Sequence, residues 1–269
     1  MIRFLRFGFL VLLIGLTLGV GVLNAAPAPA AEANGGWLEA GPGSASRGAG
    51  ISQTFGLSEN PVLAIGSDGT TVIAWEEKNN ENWEIYVKRW NGSAWVEMGP
   101  GSASGGGISD TTTRSTEPSL AVASDGRPVV AWVESQNEHS PGEIYVKVWD
   151  GSAWVANGAD SASGGGISNS EESYSYNPSL AIGPDKMPII AWSEALAGTG
   201  WIYVKRWNGS AWIETGVGSA SGVGISGGAE LSSDPSLAIG PDGIPVVSWQ
   251  VLSNNNWEIY ARRWNGSSW

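Results

Sequence analysis

The chain contains no cysteine, which excludes disulfide scaffolds, thiol nucleophiles, Cys-ligated zinc and a lipid anchor of the lipobox kind. Its one histidine, His139, excludes a His-rich metal cluster and allows a Ser-His-Asp arrangement at one place at most. Basic residues are scarce: Lys and Arg total 14 against 26 Asp and Glu. Arg3 and Arg6 fall in a leader-like N-terminus, and 14 less these two leaves 12 against the same 26. That sign of charge argues against sequence-independent binding to nucleic acid or an anionic membrane surface. Beyond the first apolar run no stretch carries a 3.6-residue hydrophobic period, so helices are not expected. What is abundant is glycine, 39 residues, and tryptophan, 16, against four Phe and three Met.

Met1–Arg6 holds two arginines, residues 7–23 are apolar and uncharged, and a small-residue stretch continues to Ala33. This is the layout of a secretory signal peptide, with A-x-A spacing at Ala28-Pro29-Ala30 and Ala31-Glu32-Ala33. Residues 1–33 are therefore read as signal peptide and exit, and the remainder as secreted or cell-surface protein with no membrane insertion after cleavage.

The rest is a repeat. Trp90-Asn-Gly-Ser-Ala-Trp95 returns at Trp149–Trp154, Trp207–Trp212 and, as Trp264-Asn-Gly-Ser-Ser-Trp269, at the last residues. The second tryptophans stand at 95, 154, 212 and 269, and a half-copy ends at Trp37. Residues 34–269 thus divide into repeats 37–94, 95–153, 154–211 and 212–269. Each reads as four short antiparallel strands. A Pro-led apolar strand such as Pro118–Val122 is followed by an Asp-Gly turn, then a strand such as Val129–Trp132. The third strand is Ile85–Trp90 and its copies, and the Asn-Gly or Asp-Gly turn leads into the fourth. Units of this length, with tight turns, predict an all-β β-propeller built from four repeats of about 58 residues, since no single small sheet covers both its faces. Thirteen of the tryptophans fall at three repeat-equivalent positions and are assigned to the core between blades.

The expected ligand-binding end is that of the connections from strand two to three (Glu76–Trp83, Val133–Gly142, Ser193–Gly200, Gln250–Asn256) and from strand four to the next unit (Gln53–Asn60, Asp110–Glu117, Asn169–Asn177, Gly227–Asp234). Both sets are long and vary between units, and rigid scaffolds concentrate binding residues on loops. Glu77, Glu134 and Glu194 stand two places after the strand-two Trp, with Val251 breaking the series. Glu84, Glu143 and Glu258 precede the strand-three Ile, with Trp201 in the remaining copy. A carboxylate beside an exposed indole suits sugar binding. The alternative is a solvated acidic strand end, or partners for Lys88, Lys147, Lys205 and Arg262. Trp83, Trp201 and Trp257, outside the core positions, are the leading candidates for ligand contact. His139 lies in a polar loop and is assigned no role. No D-x-D-x-D-G loop occurs, and no metal or cofactor is expected. The Gly-rich segment Gly101–Ser109 recurs in each unit but has no following helix and no Lys, which weakens a phosphate-cradle reading.

Asn91-Gly-Ser-Ala-Trp95 and its copies resemble the tail of the Asp-box of bacterial sialidase-type (BNR) propellers, without that motif's leading Ser and with Asn or Asp directly before Gly. The repeats also resemble Trp-rich propellers of secreted bacterial surface proteins and propeller lectins. The sialidase likeness implies an arginine triad with a Tyr/Glu pair and an Asp. Arg89, Arg206 and Arg263 occupy repeat-equivalent strand-three sites instead, so no catalytic residue is carried over.

Three functions are expected, in this order: a non-catalytic binding or adhesion module for carbohydrate, a structural propeller contacting other surface proteins, and a sialidase-like glycosidase. The last ranks third because a glycosidase needs one site with paired carboxylates, which identical repeats do not offer. The ring is expected to close by Gly36–Gly41, similar to Ala94–Gly99, pairing with the third strand of the last repeat, whose own fourth strand stops at Trp269.

Overall fold

The computed structural model describes residues 38–45, 50–54, 56–79, 82–170, 172–228 and 230–269. The predicted signal peptide lies outside them. Apart from Leu38 they form one compact unit, Glu39–Trp269. Among the described residues there is no helix and hence none long and apolar enough to cross a membrane.

Fifteen strands follow the repeat. Each sheet unit takes its short fourth strand from the opening residues of the next sequence repeat; counting that strand with the unit it completes, the first repeat gives β1 (Leu57–Ile65), β2 (Thr71–Asn79), β3 (Asn82–Trp90) and β4 (Trp95–Glu97); the second gives β5 (Arg114–Val122), β6 (Pro128–Ser135), β7 (Gly142–Trp149) and β8 (Trp154–Ala156). The third gives β9 (Tyr174–Ile182), β10 (Pro188–Leu196), β11 (Thr199–Trp207) and β12 (Trp212–Glu214); the fourth gives β13 (Leu231–Ile239), β14 (Pro245–Ser253) and β15 (Asn256–Arg263). Within each repeat the strands are antiparallel neighbours in chain order. The sheets number three rather than four: two of four strands, and one of seven in which β11 meets β13 through a single parallel pairing, Gly200 with Leu231. Gly200 permits this because it has no side chain. A Cβ there would lie 2.7 Å from the Ser232 carbonyl oxygen. The architecture is all-β and of the propeller type.

Three apolar layers join consecutive repeats. In the first, Val72, Ala74, Ile85 and Val87 face Val130, Trp132 and Tyr145, and the other two repeat this arrangement. The inner strands β1, β5, β9 and β13 pack side by side in sequence. At the turn before each fourth strand, Asn91 Oδ1 accepts bonds from Ser93 N and Ala94 N at 2.9 and 2.8 Å, and Asp150, Asn208 and Asn265 do the same. The opening tryptophan of the fourth strand donates to a carbonyl some 55 residues earlier, as Trp154 does to Met98 at 2.9 Å and Trp212 to Asn157 at 2.8 Å. Each fourth strand has three residues, and the Gly-rich segment extends it: Val87 N donates to Ser102 O and Ile108 N to Ile85 O, both at 2.7 Å.

Three expectations need correction. The connections from strand two to three are not uniformly long loops: Leu196–Thr199 and Ser253–Asn256 are two-residue turns whose central residues all have positive φ, as the primed hairpin turns require. Only Ser135–Gly142 spans a longer loop, which carries the exposed His139. Polar residues such as Glu77 and Lys78 belong to strands. The inner strands also begin before the proline, and a bulge accommodates it. Finally, the ring closure is not seen among the described residues. Gly36 and Trp37 lie outside the described residues. Ala40 and Gly41 lie against Trp95 and Trp90 of the first repeat, while β15 pairs only with β14 and is exposed along all eight residues.

Glycine is obligatory where each repeat ends against a tryptophan of the next. Gly158 has φ 105, and a Cβ would come within 2.4 Å of the Trp207 ring. Gly151, with φ 107, faces open space. Both alanine variants bear backbone strain of about 1–3 kcal/mol, but only Gly158→Ala must also displace the ring. Chemical denaturation should show Gly158→Ala clearly less stable than Gly151→Ala, and equal losses would contradict the packing described.

Candidate functional site

The carboxylates singled out in the sequence occupy two kinds of place. Glu77, Glu134 and Glu194 are buried, and each accepts the indole N–H of the tryptophan two residues earlier, at 2.9, 2.8 and 2.8 Å. Their neighbours on the inner strand add hydroxyl donors: Ser58 to Glu77 at 3.0 Å, Ser115 to Glu134 and Ser175 to Glu194, both at 2.7 Å. Thr111 and Thr113 also donate to Glu134, and Ser173 to Glu194. Two residues apart on one strand means the same face, so indole and carboxylate meet without strain. In the fourth repeat Val251 replaces the glutamate, and the buried Trp249 indole nitrogen has no partner among the described residues.

Glu84 and Glu143 hold the segment that leads to the next repeat. Ser109 Oγ donates to Glu84 and Ser168 Oγ to Glu143, both at 2.5 Å, with Ser170 N donating to Glu143 at 3.1 Å. Burial holds both carboxyls above the usual glutamate value, against these hydrogen bonds. Glu258 is exposed and accepts from Asn256 at 2.5 Å. The lysines take backbone carbonyls: Lys88 Nζ donates to Ile51 O at 2.7 Å, and Lys147 and Lys205 do likewise at Ile108 and Ile167, both at 2.6 Å. Trp83 is half-buried with the Arg114 guanidinium 5.8 Å from its ring centre, Trp201 donates to Gly228 O at 3.0 Å, and Trp257 is exposed. These nine residues are distributed over all four repeats and are not brought together at one site.

The side chains that do converge come from the inner strands. Asn60, Glu117, Asn177 and Asp234 each precede a proline, sit at the bulge and have φ between 48 and 55. With Pro61, Pro118, Pro178 and Pro235 they line an axial cleft of about 530 Å³. Proline suits an inner edge strand, where its missing N–H forfeits no ladder bond, and the bulge turns the preceding side chain into the cleft.

A hydrogen-bonded chain runs across the cleft from repeat to repeat. Asn60 Nδ2 donates to Glu76 Oε1 at 2.9 Å, and Glu76 Oε2 accepts Glu117 N at 2.6 Å. Glu117 Oε2 accepts Asn177 N at 2.7 Å, and Asn177 Nδ2 donates to Asp234 Oδ1. Asp234 also accepts from Ser233 Oγ at 3.0 Å and from Gln250 Nε2. Burial, the chief cause, holds the Glu117 carboxyl above its usual value, aided by the neighbouring charges of Glu76 and Asp234 and opposed by Asn177 N and Arg114. These residues escape a reading by motif because they end connections that vary between repeats, where Asn and Asp have the character of turn formers. A signal is nevertheless present: the residue before the recurring Pro changes from Asn to Glu to Asn to Asp, while Leu-Ala persists two places after that Pro. No group of three or more metal-ligating side chains occurs among the described residues.

No known family model and no curated protein matches the chain. Solved structures do match. A protein of unknown function from Dyadobacter fermentans gives a TM-score of 0.52 at 13% identity over 78% of this chain and 61% of that one. The α-L-arabinofuranosidase of Fusarium graminearum with arabinobiose, described as GH93, gives 0.50 at 16% identity over 77% and 62%. The α-L-arabinanase of Penicillium chrysogenum with arabinobiose gives 0.52 at 16% identity over 78% and 64%. The chain spans about three fifths of each, and at such identities the likeness is one of fold. It nevertheless corrects the expectation of a non-catalytic binding or adhesion module. Two of these three similar structures are of carbohydrate-cleaving enzymes, and the cleft holds two carboxylates, Glu117 and Asp234, that identical repeats were expected not to supply.

Two outcomes are expected of this geometry. Glu134→Ala leaves the Trp132 indole N–H buried without an acceptor, costing about 1–3 kcal/mol, measurable as a lowered denaturation midpoint. Glu134→Gln keeps a side-chain oxygen for the indole N–H and should lose clearly less, and equal losses would refute the pairing as the cause. For Glu117, a raised folded pKa means the folded state holds its proton longer than the unfolded chain does. Stability should fall as pH rises from the usual glutamate value through the raised one, and Glu117→Gln should flatten that part of the stability profile.

Proposed function

We propose that this chain is the propeller of a secreted, carbohydrate-cleaving glycoside hydrolase, with the axial cleft as its active site. The observation that carries the reading is that Glu117 and Asp234, two carboxylates from different repeats, line one cleft at places where the other repeats hold asparagine, with the buried Glu76 bonded behind Glu117. Glycoside hydrolysis requires two carboxyl groups in unlike states, one protonated to release the leaving oxygen and one ionised to act on the other face of the sugar. Glu117, held above its usual value, suits the acid. Asp234, which accepts from Asn177, Ser233 and Gln250, is the second carboxylate at the cleft. Arabinan-type oligosaccharides are the first substrates to try, since two of the similar propellers were solved with arabinobiose. The reading takes the four repeats as four blades and residues 1–33 as the export signal. It keeps Trp83, Trp201 and Trp257 as stacking surfaces for more distant sugar units. The sialidase-type likeness enters only through the Asn-Gly turns, which serve the backbone, and contributes no catalytic group.

Release of reducing sugar from arabinan and arabino-oligosaccharides tests this. The purified chain should hydrolyse at least one of them, and Glu117→Gln should reduce turnover by about 10²–10⁴-fold with the thermal midpoint retained. Hydrolysis unaffected by both Glu117→Gln and Asp234→Asn would remove the cleft from consideration.

A further inference from the structure

Between the second and third repeats, at the turns β5–β6 and β9–β10, lies a pocket of about 300 Å³ that shares no lining residue with the axial cleft. Two departures from the repeat open it. Val148 lines it where the equivalent strand-three residues are Arg89, Arg206 and Arg263. Arg263 reaches across to its own turn at Asp242, a span that valine is too short to fill. Asn157, after β8, lines the pocket where Met98 stands after β4 and fills an apolar layer. Two further departures bring cations. Arg127 stands where the other turns carry Thr70, Met187 and Ile244, and Lys186 where they carry Gly69, Gly126 and Gly243. Lys186 has φ 64, a left-handed backbone that few side chains bearing a Cβ enter. In a chain of net charge −12, four departures from the repeat thus meet at one pocket and make it both roomier and more cationic.

Asn157 supplies an independent sign of a ligand. It is 9% exposed, and its Nδ2 is buried with no hydrogen-bond partner among the described residues. Buried amides are ordinarily satisfied, and rotation about the soft χ2 of asparagine turns this one to the pocket. Arg127 and Lys186 both meet Asp125 Oδ2, at 3.1 and 3.5 Å, so two cations share one carboxylate. Arg127 makes that contact through Nε. Its two Nη atoms remain for a second carboxylate, the group that a guanidinium fork fits. Asp185, also in the wall, gives Oδ1 to Met187 N at 3.0 Å and keeps Oδ2 for a hydroxyl. Trp207 adds an indole, an apolar surface for the C–H side of a ring. The geometry points to this pocket as a binding site for one hexuronate ring, with its carboxylate at Arg127 and Lys186, its hydroxyls at Asn157 and Asp185, and its ring against Trp207. The volume, at the lower end for ligand pockets, suits a single ring. The site is independent of the chemistry in the cleft.

Titration calorimetry of the full chain with galacturonate provides the test. Binding should have a Kd on the order of 1 mM, which an ordinary efficiency per non-hydrogen atom gives a single sugar ring. Galactose, the same ring without the carboxylate, and acetate, the carboxylate without the ring, should each bind at least tenfold more weakly. Lys186→Gly and Val148→Arg introduce residues that the equivalent positions of other repeats already hold, so the thermal midpoint should be retained. The first removes a cation and the second fills the pocket, and each should weaken galacturonate binding at least tenfold. A wild-type chain indifferent to galacturonate at tenfold that concentration overturns the proposal. So does galacturonate binding unchanged in both variants, or binding of galactose or acetate as tight as that of galacturonate. Binding lost in Glu117→Gln would assign the sugar acid to the axial cleft and overturn it equally.

Discussion

The hydrogen bond from the strand-two indole to the carboxylate two residues further on determines much of this structure. It sets a tryptophan at the junction of two repeats, where a wide flat side chain fills the wedge, and it satisfies the one polar atom that tryptophan brings. It also recruits the hydroxyls of the inner strand and of the incoming connection, as Ser115, Thr111 and Thr113 meet on Glu134. A buried carboxylate is tolerable only with such a complement of donors. In the fourth repeat, which lacks the carboxylate, the aromatic packing changes: Trp249 stacks on Tyr260 at 23°, whereas the equivalent pairs in the first three repeats are edge-on at 76, 67 and 82°.

The same arrangement explains which parts of the fold are legible in the sequence. Apolar alternation, the Asp-Gly and Asn-Gly turns and the recurring tryptophans specify the strands, their order and the propeller class, because each is a local feature with a local physical cause. The extended strand two is not legible in this way. Glu77, Lys78 and Asn79 have the composition of a loop, and only the indole and hydroxyls brought from elsewhere make Glu77 a strand residue. The joining of the third and fourth repeats into one sheet depends on Gly200 lying against Ser232, a contact between residues 32 apart that no periodicity announces. Repeat identity also conceals the site. The five glutamates Glu77, Glu134, Glu194, Glu84 and Glu143, which stand out by recurrence, hold strands and connections in place, whereas the cleft is formed where recurrence fails.

That failure of recurrence has a physical limit. The bulge before each inner proline demands a left-handed backbone, and asparagine and aspartate enter that region more readily than other side chains bearing a Cβ. Asn60, Asn177 and Asp234 conform. Glu117, at φ 55, does not share their preference, and a strained residue persists only where its surroundings hold it. Its N–H and its carboxylate are both engaged, by Glu76 in the preceding repeat and Asn177 in the following one. The chain has placed its longest acidic side chain at the position least suited to it, within a cleft and above its ordinary pKa. A repeat that needed only a turn would have kept asparagine there. Glu117 is the one glutamate among the four bulge residues of a backbone that all four repeats share.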